Sequence, residues 1–321
     1  MLLLVIPRLL SWAVVHGVWQ GGPAACRAAE GACWAFLRAK APQILLGIYP
    51  PDERWRAIAA VAIIVALALW TLPPSHWSRR TLWLWLGGIV LALLLMGGTL
   101  LGLQPVPTSA WGGLPITLLL TVLSLAIGFP VAVALALGRR SRAPILRWMS
   151  IAFIEVVRGL PLLSMLFIAA VMLPIMLPES FSIDNLTRAL VALSFYAAAY
   201  LAEVLRGGLQ AIPPGQEEAA SALGLRRWQV LRLVVLPQAI GKVVPALTNT
   251  VVVIVKNTSL VLVVGIFDLL SSGRAALADP DWPAPFAETF GLVALVYFVI
   301  CFGISRYSLF LEARMNMGNA R

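Results

Sequence analysis

EEAASALGLRRWQVLRLVVLP, residues 217–237, is a polar, arginine-bearing interruption between two long apolar runs. Pro213, Pro214 and Gly215 break the chain just before it, and Pro237 reads as its end. Between these punctuators the pattern has the helical period. Ala219, Ala220 and Leu223 share one face, and Leu223, Leu231 and Val234 extend an apolar stripe. Gly224 interrupts the pattern, which predicts two short helices joined by a bend. Ala219 and Ala220 are small, so another surface can approach the helix backbone closely. Glu218 falls early in the first helix, where the helix dipole favours a carboxylate. Taken alone, the stretch is an amphipathic helix in a surface loop.

What flanks the stretch decides the class. Sixty per cent of the 321 residues are apolar, 12% are charged, and the mean hydropathy is +0.91. Apolar runs of about 20 residues recur, each long enough to cross a bilayer. The length would allow two soluble domains. The regularly interrupted hydropathy predicts instead one polytopic, all-α transmembrane helical bundle. A formal charge of +10 raises a nucleic-acid partner as an option. The arginines, however, cluster between apolar runs, and no basic patch is interleaved with aromatics. Anionic headgroups and positive-inside orientation account for them, and no nucleic acid is expected.

Upstream, residues 1–20 are apolar but carry Pro7, Arg8 and His16. They read as a signal peptide, with the small residues Ala24 and Ala25 downstream, or as a membrane anchor. Arg8 argues against a clean signal-peptide core, and the parity of the later links favours the anchor. Residues 21–56 are polar and hold Cys26 and Cys33. These two either pair, if the segment faces the periplasm, or are unrelated thiols. Nothing nearby completes a zinc site. Residues 57–73 and 82–103 read as spans. The Pro/Gly-rich link after Gln104 separates an amino-terminal region, 1–110, from a core, 111–312, and a tail, 313–321.

The core reads as five spans: 113–137, 148–177, 186–205, 243–269 and 287–309. Their links alternate in charge. Arg139, Arg140, Arg142 and Arg147 follow the first, and Glu179 and Asp184 the second. Arg206, Arg226, Arg227, Arg232 and Lys242 follow the third; Asp279, Asp281 and Glu288 follow the fourth. Short basic links stay in the cytoplasm, so loop 213–242 is expected inside and segment 21–56 outside. Arg27, Arg38, Lys40, Arg54 and Arg56 pull the other way, and the later links outweigh them. An external segment here requires residues 1–20 to cross the membrane.

The spacing of Glu218, Ala219, Ala220, Gly224, Val234, Leu236 and Pro237 resembles the EAA loop of ABC-importer permease subunits, a family that favours Ile where Val234 stands. Four further stretches look like the polar and general amino-acid branch. They are GGLPITLLLTVLSLAIGFPVAVALALGRR (112–140), EVVRGLPLLSMLF (155–167), YAAAYLAEVLRGGLQAIPPGQ (196–216) and VKNTSL (255–260). Relatives usually carry Asp in place of Asn257. CWAFLRAK and GIYPPDERWR, within residues 33–56, resemble the pre-core segment of the M-type permease of general L-amino-acid transporters.

This resemblance implies a five-helix type I importer core preceded by about three amino-terminal spans, multi-pass in the bacterial inner membrane. It implies that loop 213–242 docks into a groove on a separate ABC ATPase homodimer, which carries ATP and Mg. A second homologous permease, a periplasmic amino-acid-binding protein and an L-amino-acid substrate are the other implied partners.

The chain has no phosphate loop of the form GxxxxGK[ST], no HExxH and no GxSxG, and both histidines lie outside the core. An enzyme, a bound cofactor and a metal site are therefore not expected. Lys256 stands inside an apolar span, where a lone Lys costs ~2.5–3.5 kcal/mol at the helix centre, so it should face protein or water. Lys256, Asn257, Thr258, Ser259 and Glu203 are candidates for the translocation pathway, with Lys256 meeting a substrate carboxylate. The other reading is structural, with Lys256 paired to Glu203 or to helix carbonyls. Glu203 and Arg206 have the spacing of a helical ion pair. A self-sufficient secondary transporter of small polar solutes is the competing function. It needs an internal repeat and a coupling-ion site, and no clear repeat is visible.

Overall fold

The structure, a computed structural model, describes residues 2–176, 178 and 183–319. Glu179, from the second external link, lies outside these residues, as does Arg321 of the tail.

Among the described residues the chain is helical. α1 (Leu2–Leu10) runs into a π turn; α2 (Pro23–Ala28) and α3 (Trp34–Leu46) occupy the polar segment. α4 (Arg54–Thr71), α5 (Arg79–Gly97) and α6 (Gly113–Arg139) follow. Next come α7 (Pro144–Gly159), α8 (Leu162–Phe167), α9 (Leu173–Met176) and α10 (Asn185–Gln210). α11 (Pro214–Ala222) and α12 (Arg227–Gln229) form the central loop, and α13 (Leu236–Asn257), α14 (Leu269–Leu277) and α15 (Phe286–Asn319) complete the chain. Six helical stretches are long and apolar enough to cross a membrane. Two of them, Pro51–Thr71 and Arg79–Gly97, precede the core. The span expected in residues 1–20 is represented by a shorter apolar helix, Ile6–Val15.

The expected continuous span over 148–177 is instead broken. Pro144–Gly159 and Leu162–Met176 meet at 101°. Pro161 has no N–H to donate, and its ring forces Leu160 into extended backbone (φ −97°, ψ 136°). Pro130 and Pro245 lie inside helices of this chain, so the break is marked by the extended Leu160 together with Pro161 and not by proline alone.

The chain forms two compact units: Met1–Leu119 with Gly265–Val299, and Leu120–Val264 with Ile300–Arg321. In the first, Cys26 and Cys33 form a disulfide. The Cys33 N–H donates to the buried Glu288 carboxylate, and Arg27 donates to the carbonyls of Pro280 and Asp281. Lys40 pairs with Asp279 at 2.5 Å, and that hydrogen bond holds the Asp279 carboxyl below its ordinary range. Phe36 and Ile44 of α3 pack in one apolar cluster with Leu269, Ala276 and Val293. Arg56 is fully buried. It donates twice to the Gln104 carbonyl, at 2.9 and 3.0 Å. Its Nε lies 3.2 Å from Glu53, but the N–H is not aimed at the carboxylate, so that contact is electrostatic only.

These contacts bear on orientation. Arg27, Lys40 and Arg56 are each matched by local acceptors or carboxylates, which weakens their pull towards the cytoplasm. A disulfide is the pairing that an oxidising compartment permits. An external 21–56 segment, with a cytoplasmic central loop, predicts a labelling pattern. An impermeant maleimide on intact cells should modify a cysteine at exposed Pro283 and spare one at exposed Arg227 until the membrane is opened. The opposite pattern would invert the orientation.

In the second unit α10 is the central element. Ala192, Ala197, Ala198, Ala199 and Ala202 are all buried along it. Small residues let neighbouring backbones come close. A Cβ on Gly128 of α6 would stand 2.8 Å from the Ala197 Cβ, and one on Gly208 would stand 2.6 Å from the Ala239 carbonyl of α13. α10 packs on α13 and on α7, so it holds both sides of the central loop in register.

Candidate functional site

The central loop starts with Pro213 in extended backbone and Pro214 at the first helical position, where a missing N–H costs nothing. Glu217 falls in the first turn of α11. α11 ends at Gly224, whose φ of +78° is the left-handed region open to glycine. The Gly224 N–H donates to the Ser221 carbonyl and the Leu225 N–H to the Ala220 carbonyl. That pair of bonds is a Schellman stop, and it fixes the bend expected at Gly224. α12 restarts the chain, with the Gln229 side chain accepting from the Arg226 N–H at 2.8 Å.

Pro237 does not end the loop helix, as the sequence suggested. Val230–Val235 form a π turn that runs directly into α13, so Arg227–Val264 is one helical stretch. Pro237 sits in the first turn of α13, just after the widened turn, where its absent N–H is tolerated. The second arm of the loop is therefore continuous with a membrane span.

The two arms close on each other through Ala220, Val230 and Val235, all buried. Ala220 thus lies inside the loop's own packing. Glu218 and Ala219 are exposed, and so are Leu223 (83%), Trp228 and Leu233. Val234 and Leu236 are half-buried and Pro237 is exposed. The sequence reading did not single out Trp228. Its trace in the sequence is a lone indole set in a polar, arginine-rich turn.

Polar ties join the loop to the helices behind it. Arg140, at the end of α6, donates to Glu217 at 2.8 Å. Gln238 donates to Gln216, and the Lys242 ammonium donates to the Ala211 carbonyl at 2.6 Å. The neighbouring Arg139 reaches Glu155 at 3.2 Å and Glu203 at 3.3 Å. Glu203 also meets Arg158 at 3.5 Å and Arg206 at 2.5 Å. The pairing of Lys256 with Glu203, one form of the structural reading, is not made; three arginines surround that carboxylate.

Lys256 is exposed in the last turn of α13. Asn257 meets the buried Tyr196 hydroxyl, and Tyr196 packs on Tyr200 at 4.3 Å between ring centroids. The Thr258 and Ser259 hydroxyls donate to the Val255 and Lys256 carbonyls, closing the end of α13. Of the polar side chains here, Lys256 is left facing outward from the chain. Among the described residues no group of three His, Cys, Asp or Glu side chains is placed to hold a metal ion.

Comparison with known proteins gives this arrangement its class. The family described as "Binding-protein-dependent transport system inner membrane component" matches residues 125–317. The chain belongs to this family. Among curated relatives, the inner membrane amino-acid ABC transporter permease protein YhdY of Escherichia coli (strain K12) is 43% identical over 98% of this chain and 86% of its own length. The glutamate/glutamine/aspartate/asparagine transport system permease protein BztC of Rhodobacter capsulatus is 33% identical over 94% of this chain and 85% of its own. Among solved structures, a crystal structure of an amino acid ABC transporter with histidines matches at 33% identity and a TM-score of 0.55. It covers 62% of this chain and 90% of that one.

The chain is thus a multi-pass inner-membrane permease subunit of a binding-protein-dependent importer. Permease subunits of this family are not themselves enzymes, and the secondary-transporter alternative is not favoured. Two kinds of partner go with the class, an ATPase and a substrate-binding protein.

Proposed function

We propose that this permease carries L-amino acids, with residues 111–312 as the transport core and 213–242 as its coupling loop. The observation that carries the substrate class is the 43% identity to an amino-acid permease over 98% of the chain. The partners are an ATPase homodimer that binds ATP and Mg, a second homologous permease and a periplasmic amino-acid-binding protein. Closure of the ATPase pair moves the docked α11 and α12. Because the second arm continues into α13, a displacement of the loop becomes a displacement of a membrane span. The driving free energy is the ATPase's different affinity for the two states of the permease.

Docking falls to the exposed residues of the loop: Glu218 and Ala219, joined by Leu223 and Trp228. Ala220, Gly224, Val234, Leu236 and Pro237 shape the loop that presents them. The test is ATPase stimulation of the reconstituted complex, with binding protein present, across a panel of L-amino acids. Stimulation by some members supports the reading. Stimulation by sugars or phosphate alone would replace it.

For the pathway we propose Lys256, with Asn257, Thr258 and Ser259 setting its position. Glu203 was a further candidate, and its three arginine contacts favour a bracing role instead. Lys256→Met should cut uptake at least tenfold, the low end of the ~1.5–3 kcal/mol for losing one hydrogen bond to a charged group. Complex assembly and basal ATPase activity should stay at the wild-type level. Loss of assembly would make Lys256 a structural residue.

A further inference from the structure

Two clefts, of about 610 and 540 Å³, flank the Arg140–Glu217 ion pair. Arg139, Arg140, Arg147 and Arg206 line the first. Arg142 and Arg227 join Arg140 in the second. Against these six arginines the two linings hold two carboxylates, Glu217 and Glu218. Arg139, Arg140 and Arg206 are engaged by Glu155, Glu203 and Glu217. Among the described residues, Arg142, Arg147 and Arg227 stand in no ion pair.

The start of α7 fixes the depth of this corner. Arg147 is flanked by Ile145, Leu146, Trp148 and Met149, which are 75%, 51%, 70% and 66% exposed. On a membrane subunit such a surface suits acyl chains. An exposed indole at a helix end belongs at headgroup level, and a guanidinium beside it snorkels to the same level. The clefts therefore open where acyl chains give way to headgroups. A basic recess between helices at that depth suits an anionic headgroup. The planar guanidinium fork matches two oxygens of a phosphate at once.

We propose that the α6–α7 corner binds anionic phospholipid headgroups through their phosphates, with Arg147 the principal ligand in the first cleft and Arg142 in the second. Arg140 lines both clefts, so each headgroup sits one ion pair away from Glu217 and the coupling loop. The site steadies that loop through the Arg140–Glu217 pair, and the exposed Glu218, which also lines the first cleft, is shared between the site and the ATPase face. This goes beyond the importer reading and does not depend on the substrate.

The test uses the intact importer complex in nanodiscs of phosphatidylethanolamine with a minor share of phosphatidylglycerol. Retained lipid is read by native mass spectrometry after transfer to detergent. The wild type should keep phosphatidylglycerol, and the Arg142→Gln/Arg147→Gln double variant should keep it roughly thirtyfold less, at about the usual contribution per basic residue near an anionic surface. The Arg142→Lys/Arg147→Lys variant, which preserves both charges but not the fork, should retain an intermediate amount. Equal retention by the wild type and the Gln variant would overturn the site. A wild type that retains no phosphatidylglycerol yet binds inorganic phosphate would assign the arginines to a soluble anion and also overturn it. So would loss of the ATPase from the Gln variant with its lipid still bound, since that assigns the arginines to the ATPase.

Discussion

Glu218→Lys and Ala219→Trp are each expected to abolish uptake and release the ATPase, while the permease stays in the membrane at its normal level. Both side chains are exposed, so neither change disturbs the loop's own packing. Ala219 presents almost no side chain, and an indole there would hold a docked surface several ångströms away. Glu218 lies just beyond the first turn of α11, on its exposed side, and lysine inverts the charge offered to the partner. A like-charge juxtaposition at a close interface costs several kcal/mol, and ~3 kcal/mol is already more than a hundredfold in affinity. Ala220→Trp is a different experiment. Ala220 is 4% exposed and packs between the two arms of the loop, so an indole there overpacks the loop, at ~1–3 kcal/mol. It should lower the amount of folded permease as well as coupling. The measurements are membrane abundance, co-purified ATPase and uptake, taken together for all three variants. Full uptake by the first two, with the ATPase still bound, would reduce this stretch to an amphipathic surface loop.

The contrast between Ala219 and Ala220 marks where sequence reading stops. Helical spacing places both residues, Glu218 and the bend at Gly224, because i, i+3, i+4 periodicity and a left-handed glycine are local properties. Which alanine faces inward is decided by α12 and the π turn folding back, a tertiary event that spacing alone does not encode. Pro237 fails as a stop signal for a related reason. Proline disfavours a regular helix interior, but a widened turn at Val230–Val235 lets the chain carry it into α13. Hydropathy located every core span yet merged α7 with the helices after it, since apolar content continues through the Leu160-Pro161 break. Charge alternation was legible in the links. The polar segment was not, because the partners of Arg27, Lys40 and Arg56 come from the Pro280–Asp281 loop, Asp279 and the Gln104 carbonyl.

Glu203→Leu is expected to destabilise the complex more than any other single loss of charge in the second unit. The Glu203 carboxylate is 22% exposed and stands within 3.5 Å of Arg139, Arg158 and Arg206. Those arginines come from α6, α7 and α10, so one carboxylate ties three helices. Without it, three guanidiniums keep their positions with only Glu155 nearby. Breaking a fully buried pair costs ~3–5 kcal/mol. Here the groups are about a quarter exposed, and water screens part of that, leaving ~1–3 kcal/mol. Glu203→Gln keeps the shape and some acceptor capacity, so it should fall between the wild type and Leu. Thermal unfolding of the detergent-solubilised complex gives the ranking, and raised salt should narrow the gap because screening weakens the wild-type network. A pathway role for Glu203 makes the opposite prediction: an unchanged unfolding temperature with altered substrate affinity. That outcome would return Glu203 to the translocation route beside Lys256 and remove the brace. The three-helix geometry favours the brace, because a carboxylate already shared by three cations has little left to offer a fourth.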